Sequence, residues 1–387
     1  MMDTFGNKNN SNRQILHLDL DTFFISVERL MNPKLKNKTV MIGGFSDRSV
    51  VSSCSYETRR FGVHAGMPMK MARHLCSDAI ILRGDMDNYS KYSKLVTEII
   101  NEKAPLFEKA SIDEFYVDLT GMDHFFGTQK WSKELHSTIV KESGLPISFG
   151  LSTNKTTSKI TTNEAKPGML SVSENHVLPF IQPLSIKKIP GVGHKAFRTF
   201  RQMGIYTIKN LSEIPIQTIE YSFGKTGINL WKKSNGIDNS PIVQYREQKS
   251  ISTERTFDKD STNFKHMLEI VVLMVEKLSF DLRKQNKLTS VVSVKIRYSN
   301  FDTHTLQKKI PSTSFDHHIT EVAKELFVKI YNRRLSVRLI GVKFNKLVRG
   351  PQQLQLFDPK ANLTKLYNEL DFLKTKFGNK TIRKAIA

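Results

Sequence analysis

One segment limits the fold more than any other: Ile15-Leu-His-Leu-Asp-Leu-Asp-Thr-Phe-Phe-Ile-Ser-Val-Glu28. Apolar residues alternate over 15–18, the two-residue period of a strand, and then fall at helical spacing at Phe23, Phe24 and Val27. A strand that turns directly into a helix calls for an α+β architecture, with Asp19 and Asp21 at the turn. The rest of the chain keeps this mixture. A short strand over 39–42 ends at Gly43-Gly44, and Val50-Val51 starts another. Residues 66–103 read as largely helical. A hairpin follows, with apolar runs over 106–112 and 115–119 and Asp113-Glu114 between them. A strand over 146–151 leads to a helix over 155–164, a linker over 179–189, and a helical stretch to 245. Beyond Arg246, strands over 291–298 and 335–344 interleave with helices over 264–285 and 316–331.

At 387 residues the chain is expected to form two to four domains, and 39% apolar content suits ordinary cores. Residues 1–12 are polar and carry no secretory apolar core. No window reaches the roughly 18 uninterrupted apolar residues of a membrane span; the most apolar helical run, 267–278, is broken by Glu269, Glu276 and Lys277. Cys54 and Cys76 lack metal-ligand spacing, which suits a reducing cytosol and argues against a disulfide scaffold or a zinc site. The net charge of +22 is unevenly spread. Residues 1–185 hold 22 Lys/Arg against 20 Asp/Glu, whereas 186–349 hold 30 against 14. That excess is more than solubility needs, and a polyanion such as nucleic acid is the expected partner.

Three carboxylates stand where chemistry could use them: Asp19 at the end of the first strand, and Asp113 and Glu114 at the hairpin. If the hairpin pairs beside the first strand, hard oxygen ligands converge, as a Mg²⁺ site requires. Asp-x-Asp after a strand is common, and most Asp-Glu pairs in loops are merely solvated. Neither pattern decides by itself.

The surrounding motifs decide. Asp19-Leu-Asp-Thr-Phe-Phe-Ile-Ser-Val-Glu28, Tyr56-Glu-Thr-Arg-Arg-Phe-Gly-Val-His-Ala-Gly-Met-Pro-Met69, Ser111-Ile-Asp-Glu-Phe-Tyr-Val-Asp118, and Gly150-Leu-Ser-Thr-Asn-Lys155 with Glu164-Ala-Lys-Pro-Gly168 occur in order. Through them the chain resembles the Y family of low-fidelity, lesion-bypass DNA polymerases, in the branch of bacterial DNA polymerase IV, over about residues 13–350. The resemblance implies a right-hand polymerase: palm over 13–28 and 86–178, fingers over 29–85, a helical thumb over 179–246, a little finger over 247–349, and a tail over 350–387. It implies two Mg²⁺ ions held by Asp19, Asp113, Glu114 and the Leu20 backbone carbonyl, with Asp21 in a structural hydrogen bond. Phe24 would be the steric gate against a ribose 2′-hydroxyl, with Phe23 either beside it or in the core. Tyr56 and Arg59, three apart on a helical turn, would grip the dNTP phosphates together with Lys166 and, near them, Ser53.

Ile189-Pro-Gly-Val-Gly193 resembles a helix-hairpin-helix, in which Gly191, Gly193 and Lys195 would meet DNA phosphates. Residues 186–245 carry 9 Lys/Arg against 3 Asp/Glu, which favours that reading over an ordinary glycine-rich connection. In the little finger, Arg338 and Lys343 alternate with apolar residues and are expected on the exposed face of a strand. Ser252 and Arg255 are placed together on another strand face. After Gly350-Pro351, Gln353-Leu-Gln-Leu-Phe357 resembles a bacterial sliding-clamp-binding peptide anchored by Gln353, Leu354, Leu356 and Phe357. The expected partners are primer-template DNA, a dNTP and a sliding clamp, for a monomeric, nucleoid-associated cytoplasmic bacterial enzyme without a membrane contact. Two rivals stay open: a DNA-binding scaffold without chemistry, and another palm enzyme such as a nucleotidyl cyclase.

Overall fold

The computed structural model describes residues 13–122, 127–350, 360–378 and 382. The chain divides between Arg246 and Glu247 into two compact units. In chain order the first contains β1 (Ile15–Leu20), α1 (Phe23–Met31), β2 (Val40–Gly43), β3 (Val51–Cys54), α2 (Tyr56–Arg59), α3 (Met69–Leu75), β4 (Ile80–Leu82), α4 (Met86–Lys103), β5 (Phe107–Lys109) and β6 (Glu114–Asp118). It continues through α5 (Thr128–Ser143), β7 (Ile147–Ser152), α6 (Lys155–Ala165), β8 (Met169–Ser171), α7 (Val177–Ile181), α8 (His194–Gln202), α9 (Ile208–Glu213) and α10 (Ile216–Ser234).

β1 lies at the centre of a five-stranded sheet ordered β5-β6-β1-β7-β8, antiparallel to both neighbours. All six of its residues are buried, so both faces of the strand are covered. Leu16, Leu18 and Leu20 join a core with Val96, Ile99 and Ile100 of α4 and Leu135 and Ile139 of α5. The alternate residues turn toward α6, where His17 meets Thr162. Gly150 of β7 makes this close approach possible: a Cβ there would stand 2.4 Å from the Ser158 carbonyl oxygen and the Thr162 nitrogen. β2, β3 and β4 form a separate small sheet with its own core of Met41, Val51, Met69 and Ala72. The third core, around Ile186, Phe200, Ile208 and Leu230, holds the helices after residue 176. Two sequence expectations change here. The stretch 66–103 is interrupted by β4, which pairs in parallel with β2, and the expected linker over 179–189 holds the end of α7 and a 3-10 turn, Ile186–Lys188.

The second unit contains β9 (Ser250–Ser261), α11 (Phe264–Lys284), β10 (Lys287–Tyr298), β11 (Thr303–Thr313), α12 (Asp316–Ile330), β12 (Val337–Arg349) and α13 (Lys360–Phe377). Its antiparallel sheet runs β11-β10-β12-β9. Val292, Val294, Ile296, Ile340, Val342 and Phe344 pack with α11 and α12 into one core. α13, within the segment expected as a tail, is anchored by paired hydrogen bonds of Arg283 to Asp371, at 2.6 and 2.8 Å, and by Tyr367 stacked on Phe315. Among the described residues no helix is long and apolar enough to cross a membrane.

Candidate active site

Strand pairing assembles the carboxylates. Asp19 of β1 stands directly opposite Glu114, the first residue of β6, and the Leu20 N–H donates to the Asp113 carbonyl at 3.0 Å. Burial pushes the Asp19 carboxyl up to about 6; Lys166 opposes this, and the charges of Glu114 and Asp113 reinforce it. Glu114 goes the other way, to about 2: burial would raise it, but the nearby His17 ring and the hydrogen bond and charge of Lys159 outweigh that. The side chains turn to separate partners. Lys166 Nζ is 2.6 Å from Asp19 Oδ1, Lys159 Nζ 2.5 Å from Glu114 Oε2, and Ser111 Oγ donates to Asp113 Oδ1 at 2.5 Å. Among the described residues no group of three or more His, Cys, Asp or Glu side chains is drawn together closely enough to hold a metal ion as placed. The chemistry nonetheless fits a divalent cation. The donors are hard oxygens on adjoining strand ends, Asp19 on β1 directly opposite Glu114 on β6 with Asp113 adjoining.

Asp21 accepts from Ser148 Oγ at 2.7 Å and from the Tyr56 hydroxyl at 3.4 Å, a structural anchor at the strand-to-helix turn. Tyr56 opens α2 after Ser55, whose side chain caps the helix by accepting from the Thr58 N–H. The Arg59 guanidinium lies 5.1 Å from the Tyr56 ring centre, so the pair shares one face. Ser53 is half-buried on β3. Phe24 is half-buried and stacks on Tyr89, centroids 4.4 Å apart. Phe23 is only 3% exposed and belongs to the core around β1. That burial fits the core alternative for Phe23.

In the segment expected as the thumb, Gly191 has φ +105, a conformation that favours glycine. Gly193 precedes the first residue of α8, and a Cβ added there would meet nothing within 4 Å. Both glycines and Lys195 are exposed.

The second unit changes two readings. Lys343 is exposed, opposite Ser252 and Ser293. Arg338 falls outside the alternation: it is the extra residue of β12 against β10, lies where the pairing with β9 is also interrupted, and its guanidinium lies 4.6 Å over the Phe301 ring. Ser252 pairs with Lys343 but Arg255 pairs with Ile340. Three residues apart on a strand of period two, Ser252 and Arg255 occupy opposite faces rather than one. Gln353, Leu354, Leu356 and Phe357 lie outside the described residues.

Sequence reasoning missed four residues around the site: His17, Lys159, Tyr89 and Ser148. His17 had a signal, since two residues before Asp19 on a strand means the same face. Lys159 had another, one helical turn after Lys155.

Comparison with known proteins gives matches along most of the chain. Residues 18–163 match the impB/mucB/samB family, 187–238 match the DNA polymerase-iota thumb domain, and 248–356 match the impB/mucB/samB family C-terminal domain. A DNA polymerase IV of Dehalococcoides mccartyi is 35% identical over 376 residues, 96% of each chain. One from Streptococcus pneumoniae is 34% identical over 343 residues, 86% of this chain and 97% of that one. Among solved structures, a Y-family DNA polymerase chimera of Dbh and Dpo4 superposes with a TM-score of 0.78 at 25% identity, covering 87% of this chain and all of that one. An insertion ternary complex of Dbh DNA polymerase shares the fold at TM-score 0.62 and 24% identity.

Proposed function

This chain belongs to the Y family of DNA polymerases, and from that premise we propose that it extends a primer 3′-end with deoxynucleotides by two-metal-ion catalysis, synthesising with low fidelity across template lesions as part of damage tolerance. The observation that carries the proposal is the register of β1 on β6, which sets Asp19 opposite Glu114 with Asp113 adjoining. In this reading Asp19, Asp113, Glu114 and the Leu20 carbonyl hold two Mg²⁺ ions. Bound there, the ions would lower the pKa of the primer 3′-hydroxyl and stabilise the leaving pyrophosphate of an in-line displacement.

The chain's own side chains do the rest. Tyr56 and Arg59 grip the β- and γ-phosphates of the dNTP, Arg59 by a two-pronged contact, and Lys166 is a further cation within reach of the same charge. Phe24 blocks the space that a 2′-hydroxyl would enter. We divide the first unit into palm (13–28 and 86–178), fingers (29–85) and thumb (179–246), and take the second as the little finger. Primer-template DNA and a dNTP are the partners this reading requires. Asp113→Ala or Glu114→Ala is expected to abolish primer extension with Mg²⁺ and dNTPs while leaving primer-template binding nearly intact. Extension within about tenfold of wild type would overturn the two-metal assignment. Extension by the wild type also separates this reading from a DNA-binding scaffold and from a nucleotidyl cyclase.

A further inference from the structure

His17 is fully buried in β1, and its ring stands in a defined setting. The Tyr116 ring covers it, centroids 4.6 Å apart. Nδ1 lies 2.8 Å from Thr162 Oγ1, and Nε2 lies 3.9 Å from Glu114 Oε2. Among the described residues, Nε2 is one of four buried side-chain polar atoms without a hydrogen-bond partner. A buried orphan nitrogen is costly, so its direction matters. It points at a carboxylate assigned to the metal site.

The Thr162 hydroxyl has one proton and three acceptors near it: His17 Nδ1 at 2.8 Å, the Ser158 carbonyl at 3.0 Å and the His17 carbonyl at 3.2 Å. If the proton goes to a carbonyl, Nδ1 must carry the ring hydrogen. Nε2 is then a bare lone pair buried against a carboxylate, unpartnered and repelled. If the hydroxyl donates to Nδ1, the ring hydrogen sits on Nε2 and faces Glu114. Both carbonyls belong to regular elements, β1 and α6, and have backbone donors available, whereas Nδ1 has no other donor. The second arrangement therefore satisfies or attracts every group involved.

We propose that His17 is a positioning residue for Glu114: Thr162 fixes the ring as the Nε2–H tautomer, and that N–H holds the carboxylate in the orientation the metal site uses. At 3.9 Å the contact is longer than a hydrogen bond, and Lys159 holds the same oxygen at 2.5 Å. In the proposed arrangement Glu114 turns from Lys159 and accepts from the His17 Nε2–H. Outer partners of metal-binding groups act in this way, orienting the ligand rather than touching the ion. The inference rests on Glu114 being a metal carboxylate, as proposed above.

The test is direct Mn²⁺ binding to the enzyme–primer–template complex, read by electron paramagnetic resonance rather than by turnover. His17→Phe keeps the buried ring without the N–H, and is expected to weaken Mn²⁺ about tenfold, on the scale found for such partners. His17→Gln, which restores an N–H donor, should return to within about threefold of wild type. Thr162→Val removes the proton that sets the tautomer while keeping the side-chain shape, and should weaken Mn²⁺ severalfold. It also decides the matter if His17→Phe does not fold. Wild-type affinity in His17→Phe or in Thr162→Val overturns the inference. The Glu114→Gln variant separates the two levels: if it binds Mn²⁺ as wild type does, the metal reading itself fails. If it has lost Mn²⁺ while His17→Phe has not, only the role of His17 fails.

Discussion

Phe24 leans on Tyr89 with ring planes 15° apart, and Tyr89 is fixed by donating its hydroxyl to Glu28 at 2.6 Å. The proposed gate therefore has a backing, and removing its ring forfeits the aromatic stack, about 0.5–1.5 kcal/mol, in addition to the apolar area the half-buried ring covers. Phe24→Ala is expected to remain a folded polymerase whose ribonucleotide incorporation rises at least about tenfold, the scale of one pocket contact. Deoxynucleotide incorporation persists. Single-nucleotide kinetics with rNTP and dNTP check this, and unchanged sugar discrimination returns Phe24 to a structural place against Tyr89. At this scale the sequence shows residues that sit inside contiguous motifs: Asp19, Asp113, Glu114, Tyr56 and Arg59. It does not show pairs made by folding. Lys159 and Glu114 are 45 residues apart along the chain, and only the close approach of α6 over Gly150 joins them. Phe23 and Phe24 look alike in sequence; packing alone separates the buried ring from the half-buried one.

A buried glutamate at the edge of the main sheet pins three elements of the first unit. Glu108 of β5 ion-pairs with Lys155, the first residue of α6, and accepts from the Val243 N–H at 2.8 Å and from Arg246 at 2.7 Å. Arg246 is 71% exposed, so its share is small; Lys155, 10% exposed, is the partner that matters. Burial would raise the Glu108 carboxyl, but the bonds from Lys155 and Val243 and the charges of Lys155 and Arg246 outweigh it and hold the group below its usual range. A depressed folded-state pKa gives stability that is complete above the unfolded value, about 4.3, and is lost as pH falls below it toward the folded one. Glu108→Gln leaves Lys155 buried without its counter-charge, and is expected to cost the first unit about 3–5 kcal/mol at pH 7. The deficit should shrink below about pH 4. Urea unfolding at pH 7 and pH 3.5 checks both statements, and equal midpoints at pH 7 would show that the pair contributes nothing. Helices with strong amphipathic patterns, α11 and α12, were legible in sequence. β4 was not, because three residues between helices carry too short a pattern. β9 shows in sequence only as the strand face given to Ser252 and Arg255, and β11 not at all, since strands at the sheet's two edges lack the apolar alternation that marks β10 and β12.

At the scale of the molecule, charge and covalent continuity matter more than any single contact. Residues 186–349 hold 30 Lys/Arg against 14 Asp/Glu, while the carboxylates proposed for catalysis lie before residue 115. If the basic second half binds DNA as proposed, primer-template affinity should fall steeply with salt, with a log–log slope of about −0.9 per phosphate neutralised. Anisotropy titrations over a range of ionic strengths measure it, and a flat profile would mean that this charge does not face DNA. The last prediction concerns Gln353-Leu-Gln-Leu-Phe357, proposed as a clamp-binding peptide. Gly350-Pro351 before it favours an extended entry, and Leu354, Leu356 and Phe357 are apolar residues that a solvated connection does not need. Burying two such side chains in a partner's pocket contributes about 3–6 kcal/mol before the cost of ordering the peptide, so the affinity should be modest. Its effect should then appear as processivity rather than as chemistry, because the proposed catalytic side chains all belong to the first unit. Leu356→Ala combined with Phe357→Ala is expected to abolish stimulation by a sliding clamp while clamp-free extension stays within about twofold. Primer extension with and without clamp tells the alternatives apart. Loss of clamp-free synthesis means that the two side chains hold the fold together, and full retention of stimulation means that the clamp is gripped elsewhere on the chain.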